Sequence, residues 1–118
     1  MKIPNIFEDA TPPLHFAARA IVFVKGDAGD SMFSVKSGEV ELSLDGKVIE
    51  IVRADEFFGE MALIEDEARS ATATAKSNCV LVPISRKRFE FMVHETPGFA
   101  LQIMQVLSRR LRGKSVGG

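Results

Sequence analysis

The chain has 118 residues, enough for one hydrophobic core but not for two. Its composition, 46% apolar and 26% charged, is typical of a globular domain and excludes disordered and collagen-like classes, and no apolar run reaches the roughly 18 residues of a membrane span. The net charge of −1 is unevenly placed, because residues 1–85 carry fourteen acidic against eight basic side chains and residues 86–118 carry two against seven.

The N-terminal segment, residues 1–13, lacks the apolar stretch of a secretory signal. The only cysteine, Cys79, excludes an internal disulfide framework. We therefore expect a cytoplasmic protein. With two histidines in the chain, His15 and His94, composition also argues against a histidine-rich metal site, and we expect no bound metal.

From Phe16 to Ile84 the pattern is that of β-strands separated by glycine-bearing turns about 8–12 residues apart, typical of a sandwich, barrel or jelly roll. Residues 40–44 alternate apolar and polar side chains, which predicts a half-buried strand. Asp45-Gly46 then predicts a hairpin turn with Lys47–Val52 as the partner strand. Two later strands are predicted at Ala71–Ala75 and Cys79–Ile84.

Two helices are predicted after the strands. Ser85 is a suitable cap for the first, and apolar residues recur at helical spacing behind it. Thr96-Pro97 breaks that helix and begins the second, which we expect to run to about Arg112 and to end at Gly113. The basic charge of this region is typical either of a nucleic-acid or membrane surface, or of arginines that complement the negative end of a last helix. We adopt the second interpretation because no nucleic-acid-binding motif follows.

The segment Phe57–Ile64 interrupts the β pattern. Gly59 allows close approach of the backbone, and Glu60–Ile64 can form one or two helical turns whose first N–H groups would face an anion. Arg69 follows nine residues after Glu60 and offers a planar, permanently charged fork for phosphate. Together these residues suit a sugar phosphate. The alternative is an ordinary strand-to-helix turn, with Arg69 in a surface ion pair.

The segments Phe58–Ile64 and Arg69–Thr72 resemble the phosphate-binding cassette of cyclic-nucleotide-binding domains, the family of the catabolite activator protein and the regulatory subunit of protein kinase A. Val24–Phe33 and Val35–Val40 are similar to the early strands and turns of that family. The resemblance covers about residues 16–112. It implies one domain over 1–118, mainly β with α: a jelly-roll-like β-roll over about 16–85, a short cassette helix, and two C-terminal helices over about 86–112.

The resemblance also implies roles for individual residues. Glu60 would accept the ribose 2′-hydroxyl and Arg69 would pair with the cyclic phosphate. The backbone N–H groups around the start of the cassette helix would complete the phosphate cradle: Gly59, Met61 and Ala62. Ser70 and Ala71 would approach the phosphate from the strand side.

The contacts with the base are implied in the same way. Residues that would line the purine and ribose, or instead belong to the packing of the barrel, are Leu42, Val52 and Phe58. The last helix would close over the base as a lid, with Arg110 among its contacts.

We therefore expect a cytoplasmic cyclic-nucleotide sensor without enzymatic activity, with no cofactor beyond its ligand, cAMP or, as second candidate, cGMP. Movement of the last helix would signal to an unknown effector protein, and a homodimer is a further expectation. The short segment Met1–His15 before the roll, and the lack of a DNA-binding or other effector domain after it, resemble small stand-alone bacterial members. The alternatives are an interaction protein that keeps the roll without binding nucleotide and, more remotely, an enzyme of the related cupin shape.

Overall fold

The computed structural model of the chain describes residues 12–117, so most of the predicted Met1–His15 segment lies outside the described residues. The chain divides into two compact units between Arg86 and Lys87. From residue 12 onward, the first unit contains eight strands and one short helix, α1 (Glu60–Glu65). The strands are β1 (Leu14–Phe16), β2 (Ile21–Phe23), β3 (Ser31–Ser37), β4 (Val40–Leu44), β5 (Lys47–Val52), β6 (Phe57–Phe58), β7 (Thr72–Ala75) and β8 (Cys79–Ser85).

The strands form two four-stranded antiparallel sheets, one in the order β1-β8-β3-β6 and the other in the order β2-β7-β4-β5. This is a jelly-roll-like arrangement, in which successive strands lie in different sheets except for the paired strands β4 and β5. The register is fixed by apolar residues: Leu81 of β8 lies opposite Leu14 of β1 and Val35 of β3. The predicted jelly-roll-like architecture is confirmed.

The core of the first unit lies between the two sheets. One sheet contributes buried side chains such as Phe33 and Leu81, and the other contributes Val40 and Ala73. Partly buried residues from further strands pack against this cluster, Phe16 and Phe23 among them. Because alternate residues of a strand point to opposite faces, this cluster accounts for the apolar period of two in the sequence.

The hairpin between β4 and β5 follows the sequence prediction. Asp45 and Gly46 both have positive φ, 52° and 82°, as a two-residue turn that matches strand twist requires. The register shifts between Leu42 and Ser43, so that one extra residue of β5 bulges out of the ladder.

Helix α1 begins directly after Gly59, whose φ is 82°, and ends at Asp66, whose φ is 56°. The Asp66 N–H donates to the carbonyl of Ala62 and so closes the helix, a conformation that aspartate tolerates better than most residues. The Asp66 carboxylate also accepts a hydrogen bond of 3.3 Å from Arg86.

Two helices follow the strands, α2 (Arg86–Glu95) and α3 (Pro97–Gly117). The predicted boundaries after Ser85 and at Pro97 are confirmed, but the predicted end of α3 at Gly113 is wrong, since the helix continues to Gly117. A glycine costs a helix only about 1 kcal/mol, less than is needed to stop a helix that already spans several turns. No helix within residues 12–117 is long and apolar enough to cross a membrane.

Candidate functional site

Arg69 is buried in the first unit, with 5% of its surface exposed. The loop that carries it, between α1 and β7, is fastened to the turn after β2 by two backbone hydrogen bonds. The Arg69 N–H donates to the carbonyl of Asp27 at 2.8 Å, and the Gly26 N–H donates to the carbonyl of Arg69 at 2.9 Å. The alternative of an Arg69 in a surface ion pair is therefore wrong, because the side chain points inward.

The guanidinium of Arg69 is held by two backbone carbonyls through its two terminal nitrogens. Nη1 donates to the carbonyl of Gly59 at 2.9 Å, and Nη2 donates to the carbonyl of Ser31 at 2.6 Å. Nε is buried and has no hydrogen-bond partner among the described residues. A buried N–H without an acceptor costs about 1–3 kcal/mol, which an incoming anion would remove.

Burial lowers the pKa of Arg69, because a cation that is shielded from water loses solvation. The nearby carboxylates of Asp30, Asp27 and Glu60 act against this effect and raise the pKa. Arginine starts from so high a pKa that the guanidinium remains charged at neutral pH. The site therefore presents a poorly hydrated positive charge, which favours binding of an anion.

Two glycines leave the space that the guanidinium occupies. A Cβ on Gly59 would lie 2.8 Å from Nη1 of Arg69. A Cβ on Gly29 would overlap the Cβ of Ala62 and lie 3.3 Å from Nε of Arg69. Both positions therefore require glycine for close approach, and at Gly59 the positive φ requires it as well.

Glu60 is the first residue of α1 and has 2% of its surface exposed, so that it and Arg69 are the buried charged residues of the described chain. In the same helix Ala62 is buried and Met61 is half-buried. A carboxylate can accept hydrogen bonds from hydroxyl groups, while the guanidinium can donate to phosphate oxygens. Cassette residues predicted to act on one sugar phosphate thus lie together in the fold.

Ser70 and Ala71 connect Arg69 to β7. Ser70 is exposed and Ala71 is half-buried. Their predicted approach to the phosphate stays a prediction.

The residues predicted to line the base occupy different surroundings. Val52 and Phe58 are fully buried in the core between the sheets, and Leu42 is half-buried against that core. Barrel packing, the alternative considered for these three, describes where they lie, and their contact with a base stays a prediction. Arg110 belongs to α3 in the second unit, so its role as a lid contact also stays a prediction.

The family model of the cyclic nucleotide-binding domain matches residues 13–96, which is more than half of the chain. The chain belongs to this family. The matched residues include all eight described strands, the cassette helix α1 and Arg69.

Similar proteins include the cGMP-dependent protein kinase of Toxoplasma gondii, 37% identical over 83 residues that make up 70% of this chain and 8% of the kinase. The cyclic AMP receptor protein of Thermus thermophilus is 32% identical over 96 residues, 77% of this chain and 44% of that protein. The crystal structure of the catabolite activator protein from Thermus thermophilus matches with a TM-score of 0.84 at 26% identity, and covers 95% of this chain and 55% of that one. The chain thus spans less than two thirds of these relatives.

Several residues of this cyclic-nucleotide-binding domain surround Arg69 without having been predicted as site residues. Gly29 provides space, the carbonyl of Ser31 accepts a hydrogen bond, and the ring of Phe23 lies 4.1 Å from the guanidinium carbon. A backbone carbonyl has no side-chain signature, and Phe23 fits the apolar pattern of a core strand. The signal that could have identified Gly29 is its place in Gly26–Asp30, a segment already noted for its likeness to the family.

Proposed function

We propose that this chain is a cyclic-nucleotide sensor module whose ligand phosphate binds at Arg69. The observation that carries the proposal is the buried Nε of Arg69, which has no hydrogen-bond partner among the described residues. The guanidinium around it is charged, shielded from water and already oriented by two carbonyls. A cyclic phosphodiester supplies a singly charged anion with oxygens that can accept from Nε, which satisfies the donor and neutralises the cation.

The ribose would bind through Glu60, which lies at the start of α1 and whose charge acts on Arg69. A carboxylate that is removed from water accepts a hydroxyl hydrogen bond strongly. The backbone N–H groups of Gly59, Met61 and Ala62 would serve the phosphate. This arrangement suits a nucleotide whose phosphate and 2′-hydroxyl are close together.

The base is either adenine or guanine. The similar proteins include a cGMP-dependent protein kinase and a cyclic AMP receptor protein. We propose cAMP as the preferred ligand and cGMP as a weaker one, because Ser70, shorter than threonine, would serve mainly the phosphate. The apolar contacts of Leu42, Val52 and Phe58 would then hold the base, and apolar pockets separate similar ligands by only about 1–3 kcal/mol.

The same proposal extends to what the ligand does. The module acts in the cytoplasm, is not itself an enzyme, and transmits the bound state to an effector protein by a ligand-coupled movement of α3. A ligand can shift that helix only by its differential affinity for the two positions. Exposed apolar side chains of α3, such as Leu101 and Met104, offer a surface for the effector or for a second copy of the chain.

Calorimetric titration of the purified chain with cAMP and cGMP tests the proposal. Arg69→Ala should weaken both ligands by about thirty- to several-thousand-fold, since removal of one partner of a desolvated charge pair costs roughly 2–5 kcal/mol. Arg53→Ala is the matched control, because Arg53 is an exposed arginine that pairs with Glu39 on the surface. Its affinity should equal that of the parent.

Two results would contradict the proposal. A parent protein that gives no heat and no shift in melting temperature with either nucleotide would favour an interaction protein that keeps the roll without the ligand. An Arg69→Ala variant that binds as tightly as the parent would place the phosphate elsewhere. Because Arg69 also holds two carbonyls, each variant is titrated well below its own melting temperature.

A further inference from the structure

The guanidinium of Arg69 lies over an aromatic ring of β2, the strand that pairs with β7. Its central carbon is 4.1 Å from the centroid of Phe23, the last residue of β2, and 5.7 Å from the centroid of Phe33 on β3. The ring of Phe23 is itself held by two others, with centroid distances of 6.1 Å to Phe33 and 5.9 Å to Phe58. The ring beneath the cation is thus packed against two further rings from the other sheet.

The ring face carries negative electrostatic potential, so a cation above it is attracted without any hydrogen bond. This attraction is stronger where water is excluded. Only 5% of the surface of Arg69 is exposed. The two carbonyls bind Nη1 and Nη2 at one edge of the guanidinium. Contact with the ring constrains the remaining freedom, which is tilt of the guanidinium plane.

We propose that Phe23 is a positioning residue of the phosphate site. Its ring holds the charged Arg69 guanidinium in one orientation before the ligand binds. The inference rests on the proposed function, since it concerns how that same site binds a phosphate. This role of Phe23 requires no contact with the ligand. Phe23 raises the affinity because the Arg69 side chain is already ordered in the folded protein. The entropy cost of ordering this long side chain then does not weaken ligand binding.

Phe23 is distinguished from its neighbours by distance and placement. Phe33 is farther from the guanidinium carbon, and Phe58 is fully buried and stacks on Phe33 with centroids 5.4 Å apart. Those two rings support Phe23 and the core. Phe23 is half-buried and lies nearest the cation. At this position an experiment can therefore distinguish the electrostatic effect of the ring on Arg69 from its effect on packing.

The decisive experiment replaces Phe23 site-specifically with phenylalanines of increasing ring fluorination, which withdraws charge from the ring face with little change in size. Affinity for the nucleotide should fall stepwise with fluorination, by about 5- to 30-fold in total, as expected for a desolvated cation–π contact. Phe23→Leu should show a loss of affinity of the same size, and Phe23→Tyr should retain most of the affinity of the parent. The matched control is the same fluorinated series at Phe16, a half-buried ring that packs against the same core cluster from β1.

A second measurement follows the arginine itself. In the ligand-free parent, NMR signals of the Arg69 side chain should be shifted upfield by the ring below, and Phe23→Leu should remove the shift and speed rotation of the guanidinium. Equal affinity across the fluorinated series, in a parent that binds nucleotide, would overturn this inference and leave the proposed function standing. A parent that binds neither cAMP nor cGMP would overturn both. A loss in the Phe16 series equal to that in the Phe23 series would assign the effect to core stability and also overturn the inference.

Discussion

Gly59→Ala should impair nucleotide binding by more than it impairs folding. Gly59 has a φ of 82°, which an alanine adopts only at a cost of roughly 1–2 kcal/mol. The new methyl group would also lie 2.8 Å from Nη1 of Arg69, while its other near neighbours, Met32 and Phe23, would be at an ordinary 3.6 Å. The atom that must move is therefore the end of a flexible side chain.

The magnitude of the binding defect follows from that displacement. Nη1 donates to the carbonyl of Gly59 at 2.9 Å, and the shift breaks this hydrogen bond and tilts the guanidinium away from the phosphate. A guanidinium tilted away from the phosphate loses a charge-assisted hydrogen bond to the ligand. Such bonds contribute about 1.5–3 kcal/mol, which corresponds to a loss of about 10- to 150-fold in affinity.

Gly46→Ala is the matched control. Gly46 also has a φ of 82°, but it lies at the β4–β5 turn, where an added Cβ meets nothing within 4 Å. Chemical denaturation should show a loss of stability for both variants, whereas titration with cAMP should show a large loss of affinity for Gly59→Ala alone. Equal affinities for the two variants would refute the argument that the position of Arg69 controls binding.

Three further predictions concern Glu60, Ser70 and Cys79. Glu60→Gln should weaken cAMP binding by roughly 1–3 kcal/mol in titration. Removal of the ligand's 2′-hydroxyl should reduce affinity less for the variant than for the parent. If the effects of the mutation and of the 2′-deoxy ligand simply add, Glu60 does not contact that hydroxyl. The parent should prefer cAMP over cGMP by about tenfold, and Ser70→Ala should weaken both alike in competition titrations; a selective loss of cGMP would instead show a guanine contact. Burial raises the pKa of the Cys79 thiol in the folded protein. The thiol therefore contributes its full stabilisation at a pH below the pKa of the unfolded thiol, and this contribution is lost as the pH rises through the pKa of the folded thiol. Cys79→Ala should therefore flatten the alkaline fall in the free energy of unfolding, and an unchanged profile would contradict this.

Local features of the sequence predicted the parts of the fold that local chemistry determines. Asp45-Gly46 predicted the hairpin because the turn needs two successive residues with positive φ, and few residue pairs adopt that conformation readily. Gly59 with Glu60 predicted the short cassette helix in its observed place. The end of α3 was not predictable in this way, because Gly113 favours termination only weakly and the helix continued through it.

The candidate site was predictable only where side-chain type reveals it. Arg69 and Glu60 were predicted because a guanidinium and a carboxylate suit a sugar phosphate and because the segments that carry them resemble the phosphate-binding cassette. The carbonyl of Ser31 and the ring of Phe23 were missed, since both reach Arg69 across some 40 residues of sequence by virtue of sheet pairing. The surroundings of a charged group thus depend on the topology, which no local motif specifies.

The hydrogen bonds of Arg69 have a consequence for how such domains change over time. Its side chain and backbone join Gly59, β3 and the turn after β2. A descendant that gave up the nucleotide would still lose stability if this arginine were replaced, so selection for a folded protein alone would preserve it. Release from ligand binding would first appear elsewhere, at residues such as the exposed Ser70, whose replacement leaves these links intact.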